Sequence, residues 1–213
     1  MKAQASQIRA EKTGTQTTSG LAGTAEKESA NSRKHLLLFS LITGLCLFVL
    51  AWPFIDTAEM NDHYVYLARS LAQGSLNVDS LPAEYRDFVA WEGHKYLPFG
   101  PLPAALLVPF LPLLNMGVQL VWVCYLATLV SIFAMYKVLG LAGVRDERRV
   151  WAIILFFAGT SYFGVNLVGI STYFAHIVAV LFLLLAVWEM LGARRLVLVG
   201  LFLGLAAMTR LTV

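Results

Sequence analysis

Apolar and polar positions fall in long blocks along this chain. Residues 1–34 are rich in Thr, Ser, Ala, Gln, Gly and Lys. They bury too little surface to offset chain entropy, which predicts a disordered tail. Leu36–Ile55 then runs 20 residues without a charge, enough to cross a hydrocarbon core about 30 Å thick. It is too long for a signal-peptide core, and no small-residue cleavage site follows. It predicts a first transmembrane helix. Residues 56–95 interrupt the apolar pattern with seven acidic and three basic residues. Tyr96–Tyr136 is again uncharged for 41 residues, roughly 60 Å as a straight helix and too long for one span.

That block reads as two short spans or as one span preceded by an interfacial segment. Basic residues decide, because they collect on the cytoplasmic side. One span at about 115–137 puts the tail, the 137–149 connection and Arg194–Arg195 together in the cytoplasm. Two spans would put the latter two outside. Prolines at 98, 101, 103, 109 and 112 each remove a backbone donor and disfavour a regular spanning helix. Residues 98–113 are therefore expected at the outer membrane surface or half inserted. Further spans follow at about 150–168, 171–191 and from 196 onward. The fifth is still apolar at Val213, which predicts that the chain is truncated.

Composition agrees. The 213 residues are 58% hydrophobic and 14% charged, with mean hydropathy +0.69, against about 45–50% and about 25% in soluble domains. The net charge of +3, with six of sixteen basic residues in the first 34 positions, flanks a hydrophobic span and reads as a topology signal rather than a nucleic-acid surface. Cys46 and Cys124 fall within expected spans and read as buried thiols. The expected fold is all-α: a polytopic membrane protein with about five transmembrane helices and an outer loop carrying interfacial helices. It divides into a disordered cytoplasmic tail, 1–34, and a transmembrane domain, 35–213, with outer loop 56–114. The location is the inner (plasma) membrane, multi-pass, N-terminus inside.

This topology gathers polar groups at one face. Ser171, Thr172, Tyr173 and His176 open the fourth span from outside. Arg210 sits about 22 Å up from Leu196 at 1.5 Å per residue. Each has a plain alternative: Arg210 as a headgroup anchor, His176 as a helix-packing histidine, Tyr173 as an interfacial aromatic. A guanidinium within a span is nevertheless shaped to hold phosphate. In the loop, Tyr64, Leu67, Ala68 and Leu71 follow helical spacing and Gly74 can end the helix. Asn61 is the expected N-cap, with Asp62 in the first turn. Asp62 then serves either the helix dipole or as a general base. Asp79, Glu84 and Glu92 read as solvated charges. Walker A, H-E-x-x-H, zinc-spaced cysteine and nucleotide-binding Gly motifs are missing from the chain.

Four strings carry a resemblance. They are Asn61-Asp-His-Tyr-Val-Tyr-Leu-Ala-Arg-Ser-Leu-Ala-Gln-Gly74, Gly93-His-Lys-Tyr-Leu-Pro-Phe-Gly-Pro-Leu-Pro103, Thr172-Tyr-Phe-Ala-His176 and Gly204-Leu-Ala-Ala-Met-Thr-Arg210. With the layout of spans, residues 36–213 resemble the N-terminal part of GT-C-fold membrane glycosyltransferases. The nearest branch is the bacterial relatives of protein O-mannosyltransferases and aminoarabinose transferases (family 39). The resemblance implies transfer of a sugar from a polyprenyl-phosphate donor to an acceptor at the outer face. A loop carboxylate would act as base: Asp62, with Asp56 and Asp87 as competitors. The family often places an acidic pair soon after the first span, whereas here Asp56, Glu59 and Asp62 are spread out. Arg210, His176, Tyr173 and His63 would bind substrate.

No cofactor is expected, since the lipid-phosphate sugar is a substrate; a divalent metal stays open. Expected partners are membrane lipid, the polyprenyl-phosphate-linked sugar and further C-terminal helices of the same protein, not nucleic acid. The fragment alone is expected to be inactive. Rival readings are a transporter or flippase of lipid-linked intermediates and a non-catalytic assembly protein.

Overall fold

The computed structural model describes residues 62–209 except 83, 86, 117, 118 and 169, together with Lys34, Leu38, Leu41, Ile42, Leu45 and Val49. The tail, most of the first expected span, Asp56, Glu59, Asn61, Cys46 and Arg210 lie outside the described residues. The described chain is mostly helical. Its helices are α1 (His63–Ala72), α2 (Leu102–Leu107), α3 (Leu111–Asn115), α4 (Leu120–Leu141), α5 (Asp146–Gly159), α6 (Ser161–Val168), α7 (Ser171–Leu191) and α8 (Leu196–Ala207).

Among the described residues, two helices, α4 and α7, are long and apolar enough to cross a membrane. A third crossing is possible in length if α5 and α6, bent by 59°, act as one span. Thr160 explains the bend. Its hydroxyl donates to the Phe156 carbonyl at 2.6 Å and accepts from the Tyr162 amide at 3.2 Å. One side chain thus serves the last turn of α5 and caps the first turn of α6. The expected spans at 171–191 and 150–168 match α7 and the bent pair closely. The span expected at 115–137 begins five residues later, at Leu120. The described part of the fifth, α8, has 12 residues.

The proline-rich segment is the broken apolar helix its sequence predicts. α2 gives way to a 3-10 turn, Val108–Phe110, and then to α3. Pro103, Pro109 and Pro112 fall where the first turns of these short pieces need no amide donor.

The all-α expectation needs one correction. The polar loop contains a hairpin, β1 (Val89–Trp91) and β2 (His94–Tyr96), paired antiparallel with Trp91 opposite His94. Glu92 and Gly93 both have positive φ, 50° and 83°, as a two-residue type I′ turn demands. The loop is also less solvated than its charge suggests. Tyr64, Leu67 and Ala68 of α1, with Val78, Leu81 and Tyr85, join Ala104, Leu107, Cys124, Phe157 and Phe174 in one apolar core. Cys124 is buried and free, as expected.

The helices share two ends. α4 and α7 run in the same direction: a β-carbon built on Gly192, just past α7, would lie 3.3 Å from Leu141, the last residue of α4. α8 returns to the other end, where Met208 meets Gly100. α1 is there too, because the Tyr64 amide donates to Ser171 at the start of α7. Between the ends, Thr128 and Ser131 of α4 and Tyr162 and Asn166 of α6 form a buried polar cluster. Thr128 bonds Asn166, and Asn166 Nδ2 donates to the Tyr162 carbonyl at 3.0 Å. These hydrogen bonds tie the bent pair to α4, as polar residues do between membrane helices.

Candidate functional site

The site lies where α1, the hairpin segment, α7 and the end of α8 meet. α1 sets its floor. The helix starts one residue later than expected, with Asp62 rather than Asn61 at the N-cap. The Asp62 carbonyl accepts from the Val65 and Tyr66 amides at 2.8 and 3.2 Å. Its own amide donates to the Tyr85 hydroxyl at 3.2 Å. Both backbone groups of Asp62 are thereby fixed. Its carboxylate makes no capping hydrogen bond to the helix, so the dipole-serving role expected as one alternative lacks its usual contact.

α1 ends as the sequence predicts. Gly74 takes φ +76°, its amide donates to the Leu71 carbonyl, and the Ser75 amide donates to the Ser70 carbonyl. This pairing of the last carbonyls needs a left-handed residue, which glycine supplies without strain. Arg69, in the last turn, donates to Asn115 Oδ1 at 3.0 Å and stacks on Tyr66. α1 is thus bolted to α3 at one end and to α7 at the other.

His63 is buried and faces a different carboxylate from the one its neighbour carries. Its Nε2 lies 3.9 Å from Asp87 Oδ2, beyond hydrogen-bond distance. Its ring packs edge-on against Tyr85 and Phe99, with centroids 4.6 and 5.9 Å away. The ring faces Asp87, which is largely exposed.

The second and fourth strings also meet. A β-carbon on Gly100 would stand 2.1 Å from the Met208 carbonyl oxygen and 3.0 Å from the Thr209 carbonyl carbon. Thr209 is fully buried and its hydroxyl donates to the Ala206 carbonyl at 2.7 Å. Arg210 follows directly in sequence but, like Asp56, lies outside the described residues. Tyr173 and His176 are half-buried on the first turns of α7. Among the described residues, no hydrogen bond or ring contact joins the Tyr173 side chain to the cluster.

Sequence reasoning did not single out Tyr85 or Phe99. The signal for Tyr85 was a lone aromatic in an acidic stretch, and for Phe99 an aromatic between two prolines, neither specific. Ser171 was placed near this end by the topology argument. It is buried, and it accepts the Tyr64 amide at 3.1 Å across 107 residues of chain.

Asp79 is solvent-exposed, as expected of a solvated charge, and it is also a fastener. Its Oδ1 accepts the Lys95 amide at 2.8 Å and its Oδ2 accepts from His94 Nδ1 at 2.7 Å. Lys95 Nζ donates to the Leu81 carbonyl at 3.0 Å, so the hairpin is stitched to residues 78–81. The Lys95 amide first, and then His94, hold the Asp79 carboxyl below its usual range. A depressed folded value gives stability that is present above the unfolded value, about 3.9. That stability is lost as pH falls through the folded value. Trp91 fluorescence is expected to report a transition below about pH 4 that disappears in Asp79→Asn. The same transition in that variant would mean that Asp79 does not fasten the hairpin.

Among the described residues, no group of three His, Cys, Asp or Glu side chains is arranged to hold a metal. Compared with models of known protein families, with curated proteins and with solved structures, the chain gives no match.

Proposed function

We propose that this protein transfers a sugar from a polyprenyl-phosphate donor to an acceptor hydroxyl at the outer face of a membrane. The observation that carries the reading is convergence. The first string meets the second through His63 and Phe99, the second meets the fourth through Gly100 and Met208, and Tyr64 of the first bonds Ser171, the residue before the third. Asp62 opens α1, bonds Tyr85 through its amide and lies two residues before Tyr64, which bonds the start of a membrane-length helix; a carboxylate at that end of the helices would meet a lipid headgroup and its sugar.

In this reading Asp62 accepts the proton of the acceptor hydroxyl. The acceptor oxygen bonds to the anomeric carbon as the bond from that carbon to the phosphate oxygen breaks, with inversion. The polyprenyl phosphate leaves carrying the electron pair. Arg210, with His176, holds the departing phosphate, because charge-assisted hydrogen bonds are strong in a site that excludes water. Tyr173 and His63 contribute to substrate binding. Asp56 and Asp87 are the alternative bases. Five spans, with residues 56–114 outside and the 137–149 and 194–195 connections in the cytoplasm, complete this topology. In this reading the protein lies in the plasma membrane, among membrane lipid and the polyprenyl-phosphate-linked sugar.

The test is transfer of radiolabel from a polyprenyl-phosphate sugar to product by the full-length protein in vesicles. Absence of transfer across a panel of such donors would remove the reading. Within it, Arg210→Lys is expected to weaken binding of a polyprenyl-phosphate analogue, because lysine lacks the planar fork that grips phosphate. Arg210→Ala should weaken it more. Unchanged affinity in both variants would leave Arg210 as an anchor only.

A further inference from the structure

The opposite end of the helices carries a second set of charges. The α4–α5 turn, 142–145, and the α7–α8 turn, 192–195, lie side by side there, as the approach of Gly192 to Leu141 requires. Around them are Lys137, Arg145, Arg148, Arg149, Arg194 and Arg195. Two are neutralised locally. Arg149 pairs with Asp146 at 2.7 Å, and Arg195 grips both oxygens of Glu189 at 2.7 Å each. Lys137, Arg145, Arg148 and Arg194 are exposed, and among the described residues none has a carboxylate partner.

Two further observations point to what these cations meet. Lys137 lies 5.3 Å over the Phe133 ring, and Phe133 packs edge-on against Trp188 at 5.8 Å. Trp151 on α5 is also well exposed. Tryptophans gathered at a basic end of the helices mark the level of lipid headgroups. The second observation is backbone strain. Arg194 has φ +55°, a left-handed conformation that costs an ordinary residue energy and glycine almost none. The turn needs that conformation, since the Arg194 amide closes α7 on the Glu189 carbonyl at 2.8 Å. Folding alone favours glycine here, so the presence of arginine directs attention to its guanidinium.

We propose that this end binds the headgroup of an anionic phospholipid, bridging the two turns through Lys137, Arg145, Arg148 and Arg194. The phosphate supplies oxygens for the guanidinium forks. The acyl chains lie along the exposed apolar side chains of Val187 and Met190. A zwitterionic lipid brings its own cation and gains less. This surface is separate from the proposed transfer site and does not depend on it.

Thermal denaturation of the full chain in neutral detergent, titrated with phosphatidylglycerol, phosphatidylcholine or inorganic phosphate, tests the proposal. Phosphatidylglycerol should raise Tm at concentrations where the other two do not. Arg194→Gly should keep or raise the Tm of the lipid-free protein, since strain is relieved. It should nevertheless raise the half-saturating phosphatidylglycerol concentration about five-fold, the effect of one basic residue near an anionic surface. Arg148→Gln should do the same at a position without backbone strain. Equal stabilisation by phosphatidylcholine overturns the proposal. So does full stabilisation by inorganic phosphate, which would mark a free-phosphate site. So does an undiminished lipid response in both variants.

Discussion

Asp62→Asn is expected to lower turnover by about 10²–10⁴-fold, the usual cost of losing one general base, while donor binding changes little. The substitution keeps the shape of the side chain and removes its ability to take a proton. α1 is held through the Asp62 backbone: the carbonyl accepts from Val65 and Tyr66 and the amide donates to Tyr85. Thermal melting of the variant beside wild type separates loss of chemistry from loss of fold. The measurement is full-length protein with saturating donor and acceptor, beside a binding control. Glu84→Gln serves as comparison, since that carboxylate is exposed and should leave the rate nearly intact. Near-normal turnover in Asp62→Asn with loss in Asp87→Asn or Asp56→Asn would reassign the base. Retention in all three would remove the transferase mechanism.

Gly100→Ala is expected to separate the proline-rich turn from the end of α8. The added carbon would fall 2.1 Å from the Met208 carbonyl oxygen and 2.9 Å from its carbon. Both are backbone atoms, so no side-chain rotation relieves the clash and the backbone has to shift. Overpacking of this kind costs about 1–3 kcal/mol, and in a chain of this size each kcal/mol lowers Tm by about 2–4 °C. Gly164→Ala is the control: a β-carbon there meets nothing within 4 Å. Identical melting of wild type and Gly100→Ala would rule out the close approach of these two segments.

Much of the local structure was legible. The uncharged runs located α4 and α7. The spacing of Tyr64, Leu67 and Ala68 located the buried face of α1, and Gly74 located its end. The prolines foretold the broken helix at 102–115. These features depend on contacts between residues close in sequence, or on burial of a whole face, and sequence pattern records both. The hairpin was missed because its strands are three residues each, too short for an alternation to stand out. The Asp62 cap was displaced by one residue because Tyr85, 23 residues away, holds the chain there.

The sequence by itself determined which segments are apolar enough to leave water, where helices start and stop, and that basic residues collect in particular connections. Transfer of apolar surface and backbone satisfaction act residue by residue, so they can be read from a string. Tertiary structure alone decided which polar residues meet. It gave the Tyr64 amide to Ser171, turned His63 toward Asp87, made Asp79 a fastener, and set Gly100 against Met208. Such pairings depend on the packing of several helices at once. A hydrogen bond gains or loses its partner over a fraction of an ångström, a distance that no spacing along the chain encodes.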